Sequence, residues 1–171
     1  MNTGVLARAG ACNLNSHLYD KDVVYRECSD YFDTHVRFNQ ALGEFEHPDP
    51  EGLGGFRALN IDHISHHVID YWWRGNILVG YVEILPTPKG FQLRDQYLAG
   101  YLLGMSTRGL GSFQEKGGIR YVGADYKLIT FDFVRAPATE GAYMRPVQGT
   151  FPQMRKPIDV HQQLRLFTKY S

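Results

Sequence analysis

The chain has 171 residues, 43% of them hydrophobic and 21% charged, with 18 basic and 18 acidic side chains and therefore no formal net charge. That length suits one domain with a real core, and the composition excludes a disordered or collagen-like chain. The balanced charge gives no electrostatic ground for a nucleic-acid groove or a membrane surface. The two cysteines, Cys12 and Cys28, form neither a metal spacing nor a disulfide framework. No apolar run approaches the roughly 18 residues that cross a bilayer. "MNTGVLARAGAC" lacks the charged start and long apolar core of a signal peptide, so a soluble intracellular protein is expected.

Along the chain, a short strand is expected near "GVLARAGA". "YDKDVVYRECSDYFDTHVRFNQA" places Val24, Cys28, Tyr31, Phe32 and Val36 three or four apart, the spacing of a helix begun by an Asp. A loop rich in Gly and Pro, "GEFEHPDPEGLGG", follows. "HISHHVIDYWW" and "ILVGYVEIL" flank "RGN" and are rich in β-branched and aromatic residues, so they predict a β-hairpin. "TPKG" is a turn, and "FQLRDQYLAGYLL" sets Leu93, Tyr97, Leu98 and Leu102 on one helical stripe. "LLGMSTRGLGSF" has the composition of a turn. "IRYVG" and "YKLITFDFV" are two further strands, and "VHQQLRLFTKY" has the spacing of a closing helix. Strands outnumber helices and few βαβ units occur, which favours an α+β fold with a mainly antiparallel sheet or barrel.

Several side chains are candidates for chemistry. Ser106 lacks the G-x-S-x-G elbow, because Arg108 stands where the second glycine belongs, so an α/β-hydrolase is not expected. By itself this is a serine in a Gly-rich turn, although turn geometry does not call for the adjacent Arg108. His47 stands in an irregular loop, where functional groups are often displayed. On the strand, His63 and His67 share one face with Ser65, and His66 shares the other with Ile64 and Val68. No Cys or acid completes a zinc pattern there, so no metal is expected. Asp132 in "LITFDFVRAP" is either an outward-facing solvated acid or a buried one that must be paired. As a buried acid it could orient a histidine, with Glu44 and Glu46 as alternative partners for His47.

Taken in order, "GVLARAGACNLNSHLYDKDVV", "GEFEHP", "ISHHVIDYWWRGNILVGYVEILPTPKG", "LLGMSTRGLGS" and "FDFVRAPATEGA" resemble the prohead (capsid maturation) serine proteases of tailed bacteriophages, from Gly4 to Ala142. The resemblance implies a herpesvirus-protease-like fold: α+β, a mainly antiparallel β-barrel-like sheet surrounded by helices. It implies a single protease domain over 1–171, with a C-terminal tail at 148–171. Ser106 is then the nucleophile and Asp132 the third member of a His-Ser-Asp triad. Backbone amides of Thr107 and Arg108 form the oxyanion hole. The base is His47 or His66; His47 leaves room for a strand between base and nucleophile, and His66 then supports the base or lines the substrate groove. Thr107 stands where many relatives carry a second serine, and Phe45 and Tyr81 where smaller aliphatics are usual.

The implied function is a serine endopeptidase that cleaves phage scaffold protein, major capsid protein and itself inside the assembling prohead in the host cytoplasm. Neither cofactor nor metal is implied, nor a nucleic-acid or membrane partner; a homo-oligomer is left open. Relatives often cut after an acidic residue, and Arg94, Arg120 or Arg135 could match that charge. The competing expectations are a non-catalytic capsid-assembly or scaffold protein that keeps the protease fold, and a small-molecule esterase with the same triad.

Overall fold

The computed structural model describes residues 1–50 and 55–147. The expected closing helix and the tail 148–171 lie outside the described residues. Strand β1 (Asn2–Arg8) is followed by the short β2 (His17–Tyr19) and helix α1 (Lys21–Tyr31). Asp20 caps α1 by accepting the Asp22 N–H at 2.8 Å, satisfying one of the amides a helix start leaves bare. The expected stripe holds: Val24, Cys28 and Tyr31 are buried, and a π-helical turn over Phe32–Val36 extends it to Val36. Strand β3 (Leu42–Glu44) falls at the edge of the segment expected to be a loop. The predicted hairpin is present as β4 (Ile64–Arg74) and β5 (Ile77–Ile84).

Helix α2 (Pro88–Leu98) starts inside "TPKG", with Thr87 as its cap and Pro88 in the first turn, where no amide donor is needed. It stops at Leu98, so Leu102 is off the stripe and 38% exposed. The larger departure lies next. "LGMSTRGL" is not a turn but strand β6 (Leu103–Leu110), followed by β7 (Phe113–Lys116), β8 (Ile119–Val122), β9 (Lys127–Val134) and β10 (Tyr143–Pro146). Its glycines mimic turn composition, yet each meets close neighbours that leave no space for a side chain. A Cβ on Gly109, for example, would overlap the Tyr126 ring.

Seven strands form one sheet in the order β3-β4-β5-β1-β10-β6-β9, antiparallel at every pairing. Its ends meet: Phe45 bridges Phe133 in parallel, and the Glu46 N–H donates to Phe133 O at 2.7 Å. The result is a nearly closed barrel with two helices packed on it. A second sheet, β2-β8-β7, includes one parallel pair. The barrel core holds Leu6, Val68, Leu78, Met105, Phe131 and Phe133, all essentially inaccessible to water. Burial of side chains this size stabilises by about 1.5–3 kcal/mol each, before entropy. Among the described residues no helix is long and apolar enough to cross a membrane.

Alternation on β6 and β9 then sorts the side chains. Leu103, Met105, Phe131 and Phe133 join the core, so Ser106, Arg108, Thr130 and Asp132 take the opposite face. Closure depends on a close approach at Gly43 of β3, where a Cβ would run into Phe131 O and His66 Nε2. Gly43→Ala is expected to lower stability by roughly 1–3 kcal/mol through overpacking. Chemical denaturation checks this; a midpoint equal to wild type would contradict the tight closure.

Candidate active site

Asp132 is entirely buried on β9, so its charge must be met by donors or neutralised. It is met fully. Oδ1 accepts the Glu44 backbone N–H at 3.0 Å and the Arg108 Nη2–H at 3.2 Å. Oδ2 accepts the His47 Nδ1–H at 2.7 Å. Arg108 Nε lies 2.9 Å from the same oxygen, but its N–H is angled off it, so that contact is ionic rather than a directed hydrogen bond. The solvated-acid alternative is thereby ruled out.

Arg108 is among the largest fully buried side chains of the described residues. Besides Asp132 it donates to Glu44 Oε1 at 3.1 Å and to Ala58 O at 3.2 Å. Glu44 Oε1 also accepts the Asn60 N–H at 2.7 Å. The guanidinium thus joins β3, β6 and β9 to the segment around 58–60. The sequence placed Arg108 in a Gly-rich turn beside Ser106; instead it sits within β6 and its side chain holds two carboxylates. Its backbone lies opposite Thr130 in the sheet.

His47 reaches Asp132 because the chain reverses just before it. Glu46 adopts φ +67°, a left-handed conformation costly for a residue with a Cβ, while its N–H is tied to Phe133 O. Pro48 then restricts His47 to extended backbone. A carboxylate only accepts, so His47 must carry its proton on Nδ1, leaving the Nε2 lone pair directed elsewhere. Its side chain is 30% exposed, beside Phe56 at a ring separation of 5.7 Å.

Ser106 stands directly opposite Asp132 in the β6–β9 register and is 7% exposed. Side chains of such cross-strand pairs share a face, with Cβ atoms roughly 5 Å apart. Ser106 and His47 line one cleft of ≈ 330 Å³, together with Phe56, Thr107, Gly109, Tyr126 and the segment Ala138–Glu140. That last wall is held by the Leu14 N–H to Ala138 O at 2.8 Å and by Arg8 Nε to Glu140 O at 3.1 Å. A narrower groove of ≈ 110 Å³ adjoins it, lined by His17, Tyr19 and Arg120 among others. Of the other arginines considered, Arg94 pairs with Asp95 at 3.4 Å on α2, and Arg135 Nε lies 3.6 Å from Glu46.

His66 does not line the cleft. It is fully buried, donates Nε2–H to Phe131 O at 2.9 Å and accepts from Ser65 Oγ at 2.9 Å, so both ring nitrogens are occupied. Burial pushes its pKa down to about 4. Sequence reasoning did not place Glu44 on Arg108, or Phe56 and Ala138–Glu140 in the cleft. The first had a signal: opposite charges set among apolar residues on two strands require each other.

A nearly closed barrel with a serine and a histidine lining an open cleft, and a buried acid bonded to that histidine, is peptidase-like in class, and similarity to known proteins supports that class. The chain belongs to the family of prohead core protein serine proteases, whose family model matches residues 2–153. It is 33% identical over 154 residues to the prohead core protein protease of Enterobacteria phage T4, covering 88% of this chain and 70% of the relative. The solved structure of the bacteriophage T4 capsid assembly protease is similar with a TM-score of 0.70 and 29% identity. That match covers 77% of this chain and 79% of the other.

The buried neutral His66 makes stability depend on pH. Its unfolded form has the ordinary value near 6.5, so between pH 6.5 and 4 the unfolded chain binds the extra proton. Stability is therefore expected to fall by up to about 3 kcal/mol as pH drops through that window, and His66→Gln should flatten the slope. Denaturation midpoints at a series of pH values check this, and an equal slope in both proteins would contradict it.

Proposed function

We propose that the protein is a His-Ser-Asp serine endopeptidase in which Ser106 attacks, His47 is the base and Asp132 orients it. One observation carries the assignment: His47 is hydrogen-bonded to the acid that lies directly across the strand pair from Ser106. With Nδ1 committed to Asp132, His47 Nε2 takes the Ser106 proton as Oγ attacks a peptide carbonyl, then returns it to the leaving amine. The acyl group on Ser106 is released by a water activated in the same way. The buried carboxylate stabilises the imidazolium that forms in both steps. No cofactor enters, because the three side chains supply nucleophile, base and orientation.

The oxyanion donor that strand alternation favours is the Thr107 amide. Met105 N–H donates to Ala142 O at 2.8 Å, so Thr107 N–H is directed to the same edge of β6, beyond the last β10 pairing at Gly104. Arg108 contributes through its side chain. Of Arg94, Arg120 and Arg135, Arg120 is the one that lines the adjoining groove, where Glu115 lies 3.5 Å from its Nε, and it is the one of the three proposed to meet an acidic substrate residue.

By family, the substrates are the scaffold protein, the major capsid protein and the protease itself, cut inside the assembling prohead. Co-expression with the scaffold and capsid proteins of the same phage tests this by electrophoretic size shifts. Ser106→Ala and His47→Ala are each expected to abolish the shifts, a loss of 10³-fold or more in rate, whereas His66→Gln retains cleavage. Cleavage that survives Ser106→Ala would overturn the assignment, and no cleavage by the wild type would favour a non-catalytic assembly role.

A further inference from the structure

We propose that Glu44 is a positioning residue for the proton transfer at His47, acting through Arg108 and Asp132 by its charge. The inference rests on His47 being the base, and its principal test needs no catalytic activity.

Glu44, Arg108 and Asp132 are all essentially excluded from water. Two carboxylates around one guanidinium leave one negative charge in excess, and the only partly open member of the group is His47. With Asp132 alone, Arg108 would cancel much of the field that the carboxylate exerts on the imidazole. Glu44 takes up the guanidinium's charge, which leaves that of Asp132 available to His47. When His47 gains a proton, the buried group becomes neutral, and that is the state acyl transfer passes through.

The hydrogen bonds of Glu44 do not explain its charge. Its Oε1 accepts from Asn60 N–H and Arg108, and the amide oxygen of a glutamine would serve both. Its Oε2 accepts no hydrogen bond among the described residues, and His63 Nδ1 lies 3.8 Å from it. A buried carboxylate oxygen without a donor is costly unless the charge is used. The other titratable groups around the cluster are weaker influences. His63 on the 58–63 segment is half exposed and opposes Glu44 when protonated. His66 on β4 is buried, with burial holding its proton affinity low, and Tyr31 on α1 is held neutral by burial. His67 on β4 has an Nε2 without a hydrogen-bond partner among the described residues, and the Glu46–Arg135 pair beside His47 is internally balanced.

The test is an NMR titration of the His47 ring in full-length Ser106→Ala protein, with the His47→Gln spectrum giving the assignment. Glu44→Gln is expected to move the His47 midpoint down by roughly one pH unit, by loss of a buried charge in its neighbourhood. Glu44→Asp keeps the charge while losing reach, and is expected to leave the midpoint within a few tenths of a unit of wild type. In the active protein, Glu44→Gln should lower kcat about tenfold, with KM little changed and the acid limb of the pH profile shifted the same way. A folded Glu44→Gln protein with an unmoved midpoint would overturn the proposal. If Glu44→Gln fails to fold, Glu44→Ala, which also removes the charge, decides: a His47 midpoint lowered by about one unit supports the proposal, and an unmoved one overturns it. An inactive wild type would count against the peptidase assignment yet leave the titration readable.

Discussion

The guanidinium of Arg108, buried against the carboxylates of Glu44 and Asp132, is the interaction on which the rest of the site depends. Removing two acids and a base from water costs several kcal/mol per ion, and only close pairing with added hydrogen bonds offsets that cost. Here the offset is nearly complete for Asp132, which receives the Glu44 amide, His47 and Arg108. Because each partner comes from a different element, satisfying the charge also fixes where β3, β6 and β9 stand relative to one another. The same contacts that close the barrel therefore aim the imidazole.

That coupling explains why the site carries local strain. Glu46 is held at positive φ by the bond of its amide to Phe133 O, and the reversal delivers His47 to Asp132. A free loop would relax to a cheaper backbone conformation. The short β10 has a matching consequence on the other side of β6. It pairs only as far as Gly104, and beyond that point the strand edge opens on the cleft. The barrel thus supplies rigidity on one edge of β6 and access on the other.

Much of this was legible in the sequence, where local pattern and global fold agree. The helix stripe at Val24, Cys28 and Tyr31, the hairpin around "RGN", and the strand "YKLITFDFV" all follow from periodicity and turn residues. The segment of Ser106 was not legible as a strand, since its glycines answer to tertiary contacts such as the Tyr126 ring on Gly109, not to turn geometry. Likewise β3 is three residues long and forms only because β4 and β9 flank it. His47, Ser106 and Asp132 could be named from a family resemblance. The role of Arg108 could not, because a buried ion network is defined by the pairing of strands far apart in sequence. Opposite charges among apolar neighbours were the one local hint.

The proposed mechanism has Ser106 activated through His47 by the carboxylate of Asp132. A fluorophosphonate probe, with peptide mass spectrometry to find the labelled residue, tests it without knowledge of the cleavage site. A single label is expected on the peptide carrying Ser106, strongly slowed in Asp132→Asn, where the imidazole tautomer is no longer fixed. A label on another serine, or undiminished labelling of Ser106 in Asp132→Asn, would contradict it.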